Sequence, residues 1–335
     1  MITDALGRPI KDLRISVTDR CNFRCPYCMP AEVYGDRYRF LPNHEVLTFD
    51  EITCVTRILA RLGGVKVRLT GGEPLMRSNV PDLVSQLSVV EGIEDLTLTT
   101  NGYLLARQAK PLKEAGLKRI TVSLDSLDEQ VFQKMNGRNF TTAKVLEGIT
   151  AARAVGFTPV KINVVVQRGV NDHTIVDLAR FFRDFGDIVR FIEYMDVGTR
   201  NRWTLEQVVP ADEILYRIDA AFPLEALPPN YGGEVASRYR YRDGSGEIGI
   251  IASVTKPFCG DCTRIRLSAD GKIYTCLFAS VGHDVKRLLR SGASADEIEK
   301  TIMGIWRLRD DRYSEERVSL PAPRPDKVEM YQVGG

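Results

Sequence analysis

The chain has 335 residues, 44% of them hydrophobic and 27% charged, and its 46 Lys and Arg against 44 Asp and Glu give a net charge of +2. Such a length buries a substantial core as one large or two modest domains. The near balance of charge argues against a nucleic-acid partner and leaves room for local basic clusters that grip a phosphate-bearing ligand. Met1 to Arg14 holds no apolar stretch of signal-peptide length and no later stretch is long enough to span a membrane. A cytoplasmic protein without a membrane partner, its thiols reduced, is therefore expected.

The first strand is expected at Leu13 to Val17. Directly after it comes Thr18-Asp19-Arg20-Cys21-Asn22-Phe23-Arg24-Cys25-Pro26-Tyr27-Cys28. Three closely spaced thiolates suit a four-iron cluster with one iron left open for a ligand. The competing readings are a disulfide with a spare thiol, half a zinc site, or buried small hydrophobes. A zinc knuckle wants a fourth ligand at short range, and the nearest histidine, His44, lies beyond a proline-containing loop. A capping box, Thr48-Phe49-Asp50-Glu51, then opens a helix that stops at Gly63-Gly64, with Cys54 on it as core packing.

Further strands are expected at Val65 to Leu69, Asp95 to Thr99, Arg119 to Leu124, Val160 to Val166 and Ile188 to Glu193. Between them lie helices at Val80 to Val90, Leu104 to Ala115, Thr142 to Val155 and Thr174 to Phe185. Strand and helix alternating at this spacing mean a parallel sheet. The strands alternate within themselves too: in Val65-Lys66-Val67-Arg68-Leu69-Thr70 the aliphatics take one face and Lys66, Arg68 and Thr70 the other. Thr97, Thr99 and Asn101 share a face in the same way, as do Thr121, Ser123 and Asp125, and Lys161 and Asn163. An apolar back against helices and a polar front suggest a curved, incomplete barrel with a binding cavity inside, a solvated polar face being the plainer alternative. At the C-terminal strand ends stand Gly71-Gly72-Glu73-Pro74, Asn101-Gly102 and Asp125-Ser126, where barrel loops carry function. A double glycine alone is a turn. Beside a cysteine loop it also permits close backbone approach, and Glu73 can accept from a cationic amine.

The last third carries Phe258-Cys259-Gly260-Asp261-Cys262-Thr263-Arg264-Ile265-Arg266-Leu267 and then Cys276, with thirteen residues between Cys262 and Cys276. A structural zinc would need a fourth ligand, and the one nearby histidine is His283, seven residues past Cys276. A second cluster with an open iron fits the count better. If Thr263 to Ser268 is a strand, Arg264 and Arg266 leave the same face beside the metal, where paired guanidinium forks suit phosphate or a purine. Pro321 to Pro325 reads as an extended tail segment, and the final Gly334-Gly335 as a frayed end.

The first cysteine motif, with Tyr27 before its last Cys and Gly71-Gly72-Glu73-Pro74 after it, resembles the radical S-adenosylmethionine superfamily. Both triads, with Arg264-Ile265-Arg266 and the terminal glycines, resemble the GTP 3′,8-cyclases of molybdenum cofactor biosynthesis over nearly the whole chain. The resemblance implies an α/β fold: an incomplete (βα)6 TIM-like barrel over residues 1–200, and a C-terminal extension over 201–335 carrying a second iron-sulfur cluster. It implies two 4Fe-4S clusters, one on Cys21, Cys25 and Cys28 that chelates S-adenosylmethionine, the other on Cys259, Cys262 and Cys276 that touches the guanine. Tyr27, Gly72, Glu73, Ser123 and Met195 would line the S-adenosylmethionine site. Arg14, Arg68, Thr99, Lys161 and Arg264, Ile265 and Arg266 would hold GTP, Ile265 packing away from it. Arg14 and a tail of Gly334 and Gly335 threaded into the cavity would serve the reaction. Implied partners are a low-potential electron donor such as a flavodoxin system and a downstream cyclic pyranopterin monophosphate synthase, with a homodimer left open. Two other readings stand beside this one: a peptide-modifying radical enzyme, whose auxiliary domain generally uses more cysteines than the three after residue 200, and a non-catalytic iron-sulfur redox sensor.

Overall fold

The computed structural model describes residues 2–317 and 326–334; Pro321 to Pro325 and Gly335 lie outside the described residues. Strands β1 (Asp12–Ser16), β2 (Lys66–Thr70), β3 (Asp95–Thr100), β4 (Arg119–Ser123), β5 (Lys161–Val166) and β6 (Ile188–Glu193) stand side by side in chain order, all parallel. The crossovers carry helices α1 (Phe49–Arg61), α2 (Val80–Ser88), α3 (Leu105–Glu114), α4 (Glu129–Asn136), α5 (Thr142–Ala154) and α6 (Ile175–Arg183). The capping box at the start of α1 forms, Thr48 Oγ1 accepting from the Glu51 amide at 3.1 Å and Glu51 Oε2 from the Thr48 amide at 2.7 Å. Helix α4 was not expected; Asp128 caps it through the Val131 amide at 2.9 Å, in a stretch too short for its periodicity to stand out.

The alternation in the strands is that of a sheet with one apolar face. Val67, Leu69, Leu98, Val122, Val164 and Phe191 are each at most 1% exposed and form the core beneath the helices. Cys54 packs at the margin of the same core, as its place on α1 suggested. The residues between these aliphatics face the other way, into the barrel.

After residue 200 come α7 (Ala211–Ala221), β7 (Leu224–Leu227), β8 (Ser237–Tyr241), β9 (Glu247–Ile251), β10 (Arg264–Leu267), β11 (Lys272–Tyr274), β12 (His283–Asp284), α8 (Lys286–Arg290), α9 (Ala295–Arg307), α10 (Tyr313–Glu316) and α11 (Met330–Val333). These strands continue the barrel's own sheet. β10 pairs in parallel with β1, and β9 in parallel with β6, so both open edges of the barrel are covered. Antiparallel neighbours complete the order β12-β11-β10-β1-β2-β3-β4-β5-β6-β9-β8-β7. Bare parallel edges would leave rows of unpaired amides and carbonyls, and the last third satisfies them.

Ile265, between the two arginines of β10, is fully buried in the core under the helices. Ile265→Ala should therefore destabilise the metal-free protein by about 2–5 kcal/mol in denaturant unfolding. An unchanged midpoint would contradict the placement.

Candidate functional site

Alternate side chains of the parallel strands converge on a cavity of about 190 Å³. Its wall is cationic: Arg14 from β1, Arg68 from β2, Lys161 from β5, Arg190 from β6, and Arg264 and Arg266 from β10. Register explains the density, since Arg14 pairs laterally with Arg68 on one side and Arg266 on the other. Burial, with Arg264 and Arg68 adding to it, pushes the Arg14 pKa down to about 9. Burial and Arg190 lower Arg68 to about 10, and burial followed by Arg190 and Arg119 brings Lys161 down to about 8. So much positive charge held out of water calls for a polyanion.

Neutral groups order the cations. Arg68 Nη1 donates to Thr99 Oγ1 at 2.9 Å and to Thr121 Oγ1 at 3.2 Å, and Arg190 Nη2 reaches the same Thr121 oxygen at 3.2 Å. Arg190 Nε and Asn163 Oδ1 are buried with no hydrogen-bond partner among the described residues. An unspent donor and acceptor on a cationic wall fit a ligand such as a nucleotide, which offers both. Lys66, Arg119 and Arg190 also line the cavity and were not selected as site residues from the sequence, although the alternation along their strands is the signal that places them.

The first triad leaves the C-terminal end of β1. Arg24 fastens its loop, Nε donating to Tyr34 O at 2.6 Å and Nη1 to Cys21 O and Phe23 O, each at 2.7 Å. Tyr27 donates to Asp125 Oδ2 at 2.8 Å, tying the loop to the end of β4, while Asp125 Oδ1 accepts from the Val165 amide at 2.9 Å. The paired glycines fit against the backbone before the cysteines: a Cβ at Gly72 would lie 2.2 Å from Arg20 O, and one at Gly71, φ +142°, 2.4 Å from Thr18 O. No other residue permits that approach.

Glu73 does less for a ligand than the sequence suggested. Its buried carboxylate accepts from the Leu75 amide at 3.0 Å, Thr100 Oγ1 at 2.7 Å and the Asn101 amide at 2.7 Å, which orders the loop and leaves about one acceptor direction free. Burial raises its pKa to about 7 against the pull of those bonds. Ser123 ends β4, and Met195, just past β6, lines the cavity.

The second triad sits at the other end of the sheet. Cys259 and Cys262 precede β10, Cys276 follows β11, and all three line the cavity. Arg264 pairs with Asp12, the first residue of β1, so these thiols lie where β1 begins and Cys21 to Cys28 lie beyond where it ends. Arg264 and Arg266 do share a face, and Arg264 Nε and Nη2 lie 3.3 and 3.1 Å from Cys262 Sγ. Burial would raise the Cys262 pKa, but Arg264 and Arg309 outweigh it and bring it down to about 6. Ile265 turns its side chain to the core, so only its backbone is left for a ligand.

The tail reaches the C-terminal ends of β1 and β2, Ser16 Oγ donating to Tyr331 O at 3.2 Å. Arg266 Nη1 donates to Val333 O at 3.3 Å and to Gly334 O, and a Cβ at Gly334, φ +68°, would lie 2.0 Å from Thr70 Cγ2. Tyr331 packs on Tyr34 of the first cysteine loop and shares a 2.8 Å hydrogen bond with Tyr38. Gly335 lies outside the described residues.

All six cysteines of the triads are free thiols. Among the described residues no three His, Cys, Asp or Glu side chains close on one point as a single ion requires. A cube with one open iron takes three thiolates, one at each of three corner irons, and three soft sulfur donors are what each triad offers.

Comparison with known proteins agrees with this geometry. The Radical SAM superfamily model matches residues 15–182, and the Molybdenum Cofactor Synthesis C model matches residues 187–315. The GTP 3′,8-cyclase of Acidothermus cellulolyticus is 54% identical, covering 100% of this chain and 99% of its own length. Those of Staphylococcus epidermidis and Staphylococcus aureus are 50% and 48% identical, each over 100% of this chain and 99% of their own. Among solved structures, Streptococcus suis SuiB bound to S-adenosylmethionine has a TM-score of 0.63 at 15% identity, covering 92% of this chain and 68% of its own, a likeness of fold. The chain belongs to the radical S-adenosylmethionine superfamily and, within it, to the GTP 3′,8-cyclase family.

Proposed function

We propose that the chain binds GTP across the lumen, guanine toward Cys259, Cys262 and Cys276 and triphosphate on the cationic wall, and cyclises it to (8S)-3′,8-cyclo-7,8-dihydro-GTP. The carrying observation is a buried cavity lined by ten Lys and Arg against five Asp and Glu, with the second cysteine triad in its wall at the start of β1 and the first triad past the other end of that strand. Cys21, Cys25 and Cys28 would hold the cluster that chelates S-adenosylmethionine, which on taking one electron and releasing methionine would supply a 5′-deoxyadenosyl radical for the ribose 3′ hydrogen, and Cys259, Cys262 and Cys276 would hold the cluster that faces the guanine.

The chain's own residues contribute position and exclusion of water. Arg14, Lys161 and Arg266 anchor the phosphates, which fixes the ribose and makes hydrogen transfer intramolecular in effect. Arg14 faces Arg68 and Arg266 across the sheet, so it also bears on the reacting centre. Tyr27, Gly72, Ser123 and Met195 surround S-adenosylmethionine, Glu73 ordering the loop beneath it. Thr99 holds Arg68 in place. Gly334 sits against Thr70, where a side chain would clash. Carbon 3′ of the ribose, once a radical, joins carbon 8 of guanine. One electron and a proton complete the product, the electron coming from a low-potential donor such as a flavodoxin system. A cyclic pyranopterin monophosphate synthase then takes the product onward, all in the cytoplasm, as the first step of molybdenum cofactor biosynthesis.

Anaerobic reconstitution should give about eight irons per chain. With reductant, S-adenosylmethionine and GTP, the holoenzyme should form 5′-deoxyadenosine and the cyclised nucleotide. Zinc in the second triad, or no GTP-dependent product, overturns the reading. Deleting Gly334 and Gly335 should lower cyclisation at least tenfold, about 1.4 kcal/mol of transition-state stabilisation, and leave S-adenosylmethionine cleavage intact. Equal cyclisation by the truncated chain would remove the tail from the reaction.

Lys161 loses its proton near pH 8 in the free protein, and a bound triphosphate raises that pKa. GTP affinity should therefore hold up to about pH 8 and fall above it, and Lys161→Arg, charged throughout, should flatten the profile. Titrations of the holoenzyme with GTP, without reductant, between about pH 7 and 9 measure this, and parallel profiles for the two proteins would exclude Lys161 from phosphate binding.

A further inference from the structure

The segment before β1 folds into a hook that reaches the second triad. Asp4, Arg8 and Arg309 form a buried ion triad, with Arg8 Nε 2.6 Å and Arg309 Nη1 3.0 Å from Asp4 Oδ2 and side-chain exposures of 0, 2 and 1% respectively. Asp4 Oδ1 also accepts from the Leu6 and Arg8 amides at 3.0 and 2.8 Å, which closes the hook. The hook is seated on the end of α9: the Ala5 amide donates to Arg309 O at 3.2 Å, and Trp306 Nε1 to Arg8 O at 3.1 Å.

Other guanidinium donors go to the cysteine loops and to Asp311, whose carbonyl accepts from Arg8 Nη1 at 2.8 Å and whose Oδ2 lies 3.6 Å from Arg309 Nε, while Arg8 Nη2 has no partner among the described residues. Arg8 Nη1 donates to Cys259 O at 2.8 Å, and Arg309 Nη1 to Cys262 O at 2.7 Å. Arg309 Nε donates at 3.1 Å to the carbonyl of Thr275, the residue before Cys276. Each cysteine of the triad thus has its own or its preceding peptide carbonyl on one of two buried arginines. Sheet pairing alone cannot do this, because Cys259 and Cys262 precede β10 and Cys276 follows β11. Burying such an ion triad is expensive, and it is kept where it specifies geometry. A lysine could not replace Arg309, whose planar fork serves two loops and Asp4 together.

We propose that Asp4, Arg8 and Arg309 are positioning residues for the second triad, fixing its three peptide segments and raising the reduction potential of the cluster bound there through the positive charge behind it. Hydrogen bonding and charge outside the ligand set orient metal ligands and tune iron-sulfur potentials. This rests on Cys259, Cys262 and Cys276 being the second cluster's ligands.

The test uses the full-length chain, reconstituted anaerobically without GTP, and reads iron content, electron paramagnetic resonance of each cluster and midpoint potentials. Cys276→Ala supplies the spectrum of the first cluster alone; a second cluster surviving in it overturns the ligand assignment and the frame with it. Arg309→Lys should retain the first cluster and GTP-independent S-adenosylmethionine cleavage while second-cluster occupancy falls several-fold. Arg309→Gln, which removes a positive charge, should shift the second cluster's potential down, and Asp4→Asn, which removes a negative one, should shift it up. A merely structural role would move both the same way, and that result overturns the electrostatic part. Wild-type occupancy, spectra and potential in both Arg309 variants overturn the whole proposal.

Discussion

An incomplete parallel barrel has two open edges, and the hydrogen-bonding demand of those edges organises this molecule. β1 and β6 would each present unpaired backbone groups. β10 and β9, from the last third of the chain, satisfy them in parallel register. One consequence is mechanical: the family regions, matched at 15–182 and 187–315, share a single continuous sheet. The other is chemical. Seating β10 against β1 puts Arg264 and Arg266 level with Asp12 and Arg14, and draws Cys259 and Cys262 to the start of β1.

The cationic lumen follows from the same pairing. Six strands alone would bring Arg14, Arg68, Lys161 and Arg190 to the inner face; β10 adds two more guanidinium groups beside Arg14. The depressed pKa values of Arg14 and Lys161 come first from burial and then from that crowding. A fold retains such repulsion when a ligand relieves it. The wall holds the second triad at the start of β1, and the first triad lies past that strand's other end, which is the span the proposed nucleotide pose uses.

The tail joins the two ends. Val333 lies in a small apolar cluster with Tyr274 and Val328 near Cys276, and Tyr331 packs in another with Met29 and Tyr34 near Cys21 and Cys28. Arg266 holds the Val333 and Gly334 carbonyls between them. The tail is thus built from contacts to both cysteine loops, so its position depends on both loops being in place.

Short-range patterns carried much of this in the sequence itself. Cysteine spacing, the capping box of α1 and the two-residue alternation of β2 each act within a few residues, so the capped helix and the inward-facing Arg68 and Lys161 were legible in advance, whereas the double glycine, expected to bring backbone close to a ligand, lies against Arg20 O before the cysteines. The alternation held Lys66 and Arg190 too, and only their selection from it was missed. The bonds that order Glu73 could not be read in advance because its partners Thr100 and Asn101 lie at the end of β3. What the tertiary structure alone decided is pairing across long separations: β9 and β10 on the barrel edges, and the hook of Asp4 and Arg8 on Arg309. A strand's sequence states which face is apolar and leaves its neighbour unnamed, and a buried arginine is recognisable only when the carbonyls it satisfies, far along the chain, are folded around it.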